Sequence, residues 1–169
     1  MEKVLVDADL ILDLLARREP FHASAAELFS LAERRRLSIC VSPATVSDLF
    51  EILGKLENRG TAIECLQKLT RLVRILPVER KAVELALASD FENFDDAVRY
   101  YTAIRSGIRF WITRNAARCK EGGVTILTAE EFLKIREITK TLRSAFTKGG
   151  RGAPREASGR RKRRGRRRR

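Results

Sequence analysis

The apolar positions along this chain change period many times. Residues 3–7 read as a strand whose apolar run ends on an acid, Val4-Leu5-Val6-Asp7, as in a strand covered on both faces. From 8 to 17 the period becomes helical, with Leu10, Ile11, Leu14 and Leu15 on one side. Arg17-Arg18-Glu19-Pro20 breaks it, and 21–35 reads as a second helix through Ala25, Leu28, Phe29 and Ala32. Residues 37–41 are a strand. Ser42-Pro43 then opens a helix, Ser as cap and Pro at the first helical position, running to about Asn58 with Val46, Leu49, Phe50 and Leu53 inward. Gly60 begins another, striped by Ile63, Leu66, Leu69 and Val73. A brief segment at 75–78 is limited by Pro77 to an edge. Helices follow at 79–89 and, capped by Asn93 and stopped by Gly107, at 94–106. Strands at 109–113 and 124–127 precede a last helix, opened by the capping-box spacing Thr128…Glu131 and reaching about Phe146. Strands alternating with helices predict an α/β fold: a mostly parallel sheet with helices on both faces.

Charge divides the chain. Residues 148–169 hold 12 of the 35 Lys and Arg and one acid, Glu156, so 11 of the 13 net positive charges lie there. With no aromatic or β-branched residue after Thr147, this stretch lacks the apolar surface to fold. The expected organisation is a domain over 1–147 and a disordered basic tail over 148–169. The run Arg160-Arg161-Lys162-Arg163-Arg164 is the core of an expected polyanion-binding tail. Cys40, Cys65 and Cys119 have no paired spacing, and His22 has no second soft ligand, so neither a zinc site nor a disulfide framework is expected. No run is apolar enough to span a bilayer and no signal-like start is present; a cytoplasmic protein without membrane attachment is expected.

Candidate chemistry gathers where strands end. A strand that stops on Asp7 and turns into a helix puts that carboxylate at the carboxyl edge of the sheet, where open α/β folds place their sites. Asp9 follows two residues on. Asp48 stands one turn into the helix opened by Ser42, with Glu51 further toward solvent, and Asp95-Asp96 fill the first turn after Asn93. Thr113-Arg114-Asn115 ends the Trp111 strand. Carboxylates brought to one edge repel one another, and a hard divalent cation, Mg²⁺ or Mn²⁺, removes the conflict. Each acid also has a plainer reading. Asp7 suits a helix N-cap, Asp96 the positive end of a helix dipole, and Arg114 a pairing with a neighbouring acid. Asp95 and Asp13 read as surface positions.

Val4-Leu-Val-Asp7-Ala-Asp9-Leu-Ile-Leu-Asp-Leu-Leu followed by Arg18-Glu-Pro-Phe-His22, then Val41-Ser-Pro-Ala-Thr-Val-Ser-Asp48, Phe94-Asp95-Asp96-Ala97-Val98 and Trp111-Ile-Thr113-Arg114-Asn115, resemble in order and spacing the four motifs of PIN-domain proteins. The resemblance covers about residues 3–133. It implies a metal-dependent ribonuclease of the VapC type, the toxin of a toxin–antitoxin pair, with a small antitoxin protein as partner and a homodimeric state. It assigns Asp7, Asp48 and Asp96 as metal-site acids with Asp9 beside them, and Thr113 and Asn115 as the polar fourth corner. The implied reaction is hydrolysis of an RNA phosphodiester by an activated water, with Arg114 as a phosphate contact and no nucleophilic side chain. There are departures. Asp9 stands where Asn or Ser is commoner, Asp48 where Glu is commoner, and Arg118-Cys119 where an Asp-Phe pair is usual, which weakens the expectation of a second ion.

Two other functions compete. The first is a catalytically weak or inactive PIN-like protein that binds RNA through its tail. The second is a haloacid-dehalogenase-like phosphatase, since Asp7-Ala8-Asp9 also resembles that family's nucleophile motif. Such an enzyme needs a late acidic pair after a strand, whereas the strand at 124–127 ends in Thr128-Ala129.

Overall fold

β1 (Lys3–Val6) is the middle strand of a five-stranded sheet that also holds β2 (Ser38–Val41), β3 (Arg74–Ile75), β4 (Phe110–Ile112) and β5 (Thr125–Leu127). The structure, a computed structural model, describes residues 1–114 and 122–149, with side chains through 146. The strand order is β3-β2-β1-β4-β5 and every neighbouring pair is parallel, as the alternation of strands and helices predicts. Val4 aligns with Ile39 on one side and Phe110 on the other.

Alternation along the strands builds two cores. Val4, Val6, Ile39, Val41 and Ile112 face one layer, where they meet Leu10 and Ile11 of α1 (Ala8–Leu15), Leu28 of α2 (His22–Glu33), Leu49 of α3 (Pro43–Leu56) and Phe132 of α7 (Ala129–Gly149). Leu5, Cys40 and Trp111 face the other, against Tyr100 and Ala103 of α6 (Phe94–Arg105). Because both faces are covered, β1 is apolar at every position between Lys3 and Asp7. Two further helices, α4 (Arg59–Leu69) and α5 (Arg80–Leu87), pack on α3 and α6 respectively.

The caps form as the sequence predicts. Ser42 Oγ accepts from Thr45 N at 3.0 Å, Asn93 Oδ1 from Asp96 N at 3.0 Å, and Thr128 with Glu131 closes the capping box. Gly107 ends α6 at φ +68°. The segment expected at 75–78 is shorter and shifted. Pairing covers Arg74 and Ile75 and ends with Leu76 N donating to Val41 O at 2.9 Å, because Pro77 has no N–H to continue the ladder.

The chain divides into two units, Met1–Arg136 and Glu137–Arg169. The sheet, both cores and all the site residues described below belong to the first; the described part of the second continues α7 to Gly149. Among the described residues no helix is long and apolar enough to cross a membrane.

Candidate active site

The chain leaves β1 for β2 and β3 on one side, then crosses to β4 and β5 on the other, so the sheet order reverses between β1 and β4. The crevice outside the carboxyl ends of these two strands is the expected place for a ligand. Asp7 stands there, directly after β1, its backbone N–H donating to Ile112 O at 3.2 Å. By backbone it is the N-cap of α1, yet its carboxylate makes no capping hydrogen bond. The plainer reading of Asp7 as a cap therefore does not account for its side chain. The residue is 5 % exposed, and its Oδ1 is buried without a hydrogen-bond partner. Burial pushes the carboxyl up to about 6. The positive charge of Arg99 draws it back and the negative charge of Asp9 adds to the rise. The indole N–H of Trp111 and the hydroxyl of Thr113 also favour the charged form, but neither closes a hydrogen bond on Oδ1.

Asp9, in the first turn of α1, joins that helix to the end of β4. Its Oδ1 accepts from Leu10 N at 2.6 Å, and its Oδ2 from Thr113 Oγ1 at 3.3 Å and Arg114 N at 3.0 Å. Arg114 does not reach into the crevice. Its Nε lies 3.7 Å from Asp9 and 3.6 Å from Asp13, and its guanidinium covers the Phe21 ring at 5.1 Å. The acid-pairing reading of Arg114 is the one seen. Asp13, expected at the surface, is fully buried. The reason is that α1 packs on α2 and α3 as well as on the sheet, which covers the strip a simple amphipathic helix leaves to water. Burial raises the Asp13 carboxyl, with Arg114 opposing.

The other two predicted acids meet through a residue that sequence reasoning missed. Arg99, one turn after Asp96 on α6, donates from Nη1 to Asp96 Oδ1 at 3.1 Å and from Nη2 to Asp48 Oδ2 of α3 at 2.7 Å. The guanidinium side chain is 11 % exposed, Asp96 8 % and Asp48 50 %. The signal available in the sequence was a cation three residues after an acid on one helix face. Asp7, Ala8, Asp9, Asp48, Glu51, Ile52 and Arg99 line an open cleft of about 320 Å³. Asp96 does not line it; Arg99 ties it to the wall. Asp95 is exposed, as expected.

Asp7, Asp9 and Asp48 thus share one cleft, Asp96 joins through Arg99, and Thr113 and Arg114 hold the adjoining end of β4. Among the described residues no group of three His, Cys, Asp or Glu is placed to hold a metal ion. Asn115, Arg118, Cys119 and the tail residues Arg160, Arg161, Lys162, Arg163 and Arg164 lie outside the described residues.

Comparison with known proteins agrees with this architecture. The family model of the PIN domain matches residues 3–117. Ribonuclease VapC1 of Aquifex aeolicus (strain VF5) is 22 % identical over 136 residues, 78 % of this chain and 93 % of that protein. Among solved structures, DNA-bound VapBC of Salmonella typhimurium aligns with a TM-score of 0.58 at 16 % identity, over 76 % of this chain and 99 % of that one. VapBC-1 of nontypeable Haemophilus influenzae aligns at 0.57 and 13 %, over 76 % and 98 %. The Mycobacterium tuberculosis toxin VapC20, which cleaves the sarcin–ricin loop, aligns at 0.51 and 19 %, over 64 % and 86 %. At these identities the structural matches establish the shared fold.

Proposed function

The chain belongs to the PIN-domain family, and from that premise we propose that it is a metal-dependent ribonuclease, the toxin of a toxin–antitoxin pair. The observation that carries this reading is the Asp7 carboxylate. It is buried at the reversal of the sheet, unpartnered at Oδ1, faces a cleft lined by three more acids, Asp9, Asp48 and Glu51, and is held above the ordinary carboxylate range. A structural acid would be capped or paired; this one is kept in need of a cation.

The donor chemistry suits a hard divalent ion, Mg²⁺ or Mn²⁺, while among the described residues no three acids yet stand together around one point. It offers carboxylate oxygen from separate elements, with one buried oxygen lacking a donor. Asp7 would be the primary ligand, with Asp48 and Asp96 as the acids that Arg99 now engages, and Asn115, two residues after Thr113, as the other member of the polar fourth corner. Asp9 adds negative charge beside Asp7, although both its oxygens already accept hydrogen bonds. When bound, such an ion lowers the pKa of an attacking water and offsets charge on the phosphate. The chain's own residues set the frame. Thr113 and Arg114 N–H fix Asp9, Asp13 and Phe21 hold the Arg114 side chain away from the cleft, and the sheet edge aligns Asp7. The carboxylates act first as ligands, and burial of Asp7 makes its charged form depend on a cation beside it.

RNA is the proposed substrate, a small antitoxin the proposed partner and a homodimer the proposed state. The VapC relative and the VapBC complexes of like fold support the first two. The test is cleavage of structured and unstructured RNA by the purified full chain. Cutting in Mg²⁺ or Mn²⁺ that EDTA stops is expected; binding without cutting under every metal condition would leave the RNA-binding alternative in its place.

The domain is proposed to end near residue 147 and the basic tail to capture RNA without base choice. If about half of its charges meet phosphates of single-stranded RNA, the log–log salt slope of binding is about −3 to −4. Deleting the residues after Thr147 is expected to remove most of that slope, read by RNA titration at several salt concentrations. An unchanged slope would discard the tail's role.

A further inference from the structure

We propose that Arg99 is a resident counter-cation: its guanidinium holds the places on Asp48 and Asp96 that a divalent ion would take, so the Arg99 bridge and a bound ion compete. The proposal rests on the metal-dependent reading above and concerns how this chain departs from a cleft of free carboxylates.

Three observations carry it. Asp48 and Asp96 come from different helices, α3 and α6, and Arg99 is the group that spans them, at 2.7 and 3.1 Å. Arg99 lines the same cleft as Asp7, and its charge already acts on the Asp7 carboxyl. Its Nε is buried without a hydrogen-bond partner, so the guanidinium is not saturated as a purely structural clamp would be. A planar cation bonded to two carboxylates offsets one of their two negative charges, half of what a divalent ion would offset, and it occupies oxygens that the ion needs. It also repels an ion approaching Asp7. Mass action then makes the apparent metal affinity the intrinsic affinity divided by the strength of the bridge.

The experiment is Mn²⁺ titration of the full chain, with free Mn²⁺ read by electron paramagnetic resonance, for wild type, Arg99→Gln, Arg99→Lys and Asp7→Asn. Circular dichroism melts in EDTA and in Mn²⁺ accompany it. Arg99→Gln is expected to bind Mn²⁺ at least tenfold more tightly than wild type. Its melting temperature should be lower than wild type in EDTA, where the acids have lost their cation, and should rise more on adding Mn²⁺. Arg99→Lys, which keeps the charge but loses the two-pronged geometry, should fall between, and it carries the test if the Gln variant does not fold. Equal or weaker Mn²⁺ binding by the Arg99 variants, with binding abolished in Asp7→Asn, overturns the competition and leaves the nuclease reading standing. Mn²⁺ binding by none of the proteins overturns both.

Discussion

Asp7→Asn is expected to abolish RNA cleavage and at the same time to stabilise the fold at neutral pH. The first effect follows from losing the primary metal ligand: cleavage should drop by about a thousandfold or more, about 4 kcal/mol of barrier. The second follows from burial. The Asp7 carboxyl ordinarily titrates at 3.8 and is held at about 6 in the folded chain, so the folded state binds the proton more tightly than the unfolded one. Below pH 3.8 both states are protonated and the group costs nothing. As pH rises through the window from about 4 to 6 the unfolded chain ionises first, and stability is lost, about 3 kcal/mol in all by neutral pH. Asn carries no charge to desolvate and avoids that loss. In EDTA at pH 7.5 the variant should therefore melt roughly 6–12 °C above wild type, an advantage that shrinks to nothing near pH 4. Equal melting temperatures at pH 7.5 would mean that the Asp7 charge is solvated or already compensated, and the case for a cation at this position would fall with it.

The same residue shows what sequence reading reaches and where it stops. The elements were legible because local chemistry specifies them. Ser42-Pro43, Asn93 and the Thr128–Glu131 pair cap their helices wherever the rest of the chain goes. β1 and β2 are apolar at nearly every position because helices cover both faces. The position of Asp7 was legible for a related reason, since a buried parallel strand must deliver its last residue to the sheet edge. The surroundings of Asp13 were not. Its helical strip predicts exposure, and only the packing of α1 against two other helices as well as the sheet buries it. Arg99 was hidden in the same way. Its partner one turn back is a local feature, but its bond to Asp48 depends on how α3 and α6 converge over the sheet edge. Individual acids could be named from the chain, whereas the cation among them required the tertiary structure.

The bond between Asp96 and Arg99 makes the last expectation quantitative. Both side chains are nearly buried, at 8 % and 11 % exposure, while Asp48 is half exposed. A pair shielded from water is worth more than one at the rim, where solvent screens the charges and contributions stay under about 1 kcal/mol. Three melting experiments in EDTA, on Asp96→Asn, Arg99→Gln and the double variant, apportion the network. Each single change should destabilise by about 2–3 kcal/mol, because it removes a charge-assisted bond across the α6 turn from a side chain held nearly out of water. The double variant should cost less than the sum, with a coupling of about 1–3 kcal/mol. The same cycle with Asp48→Asn in place of Asp96→Asn should give under about 1 kcal/mol. That ordering matters for chemistry as well as stability. If Asp96 is the tighter hold, an incoming ion displaces the guanidinium from Asp48 first, at the exposed mouth of the cleft, while the Asp96 end stays anchored. A larger coupling to Asp48 than to Asp96 would reverse that order.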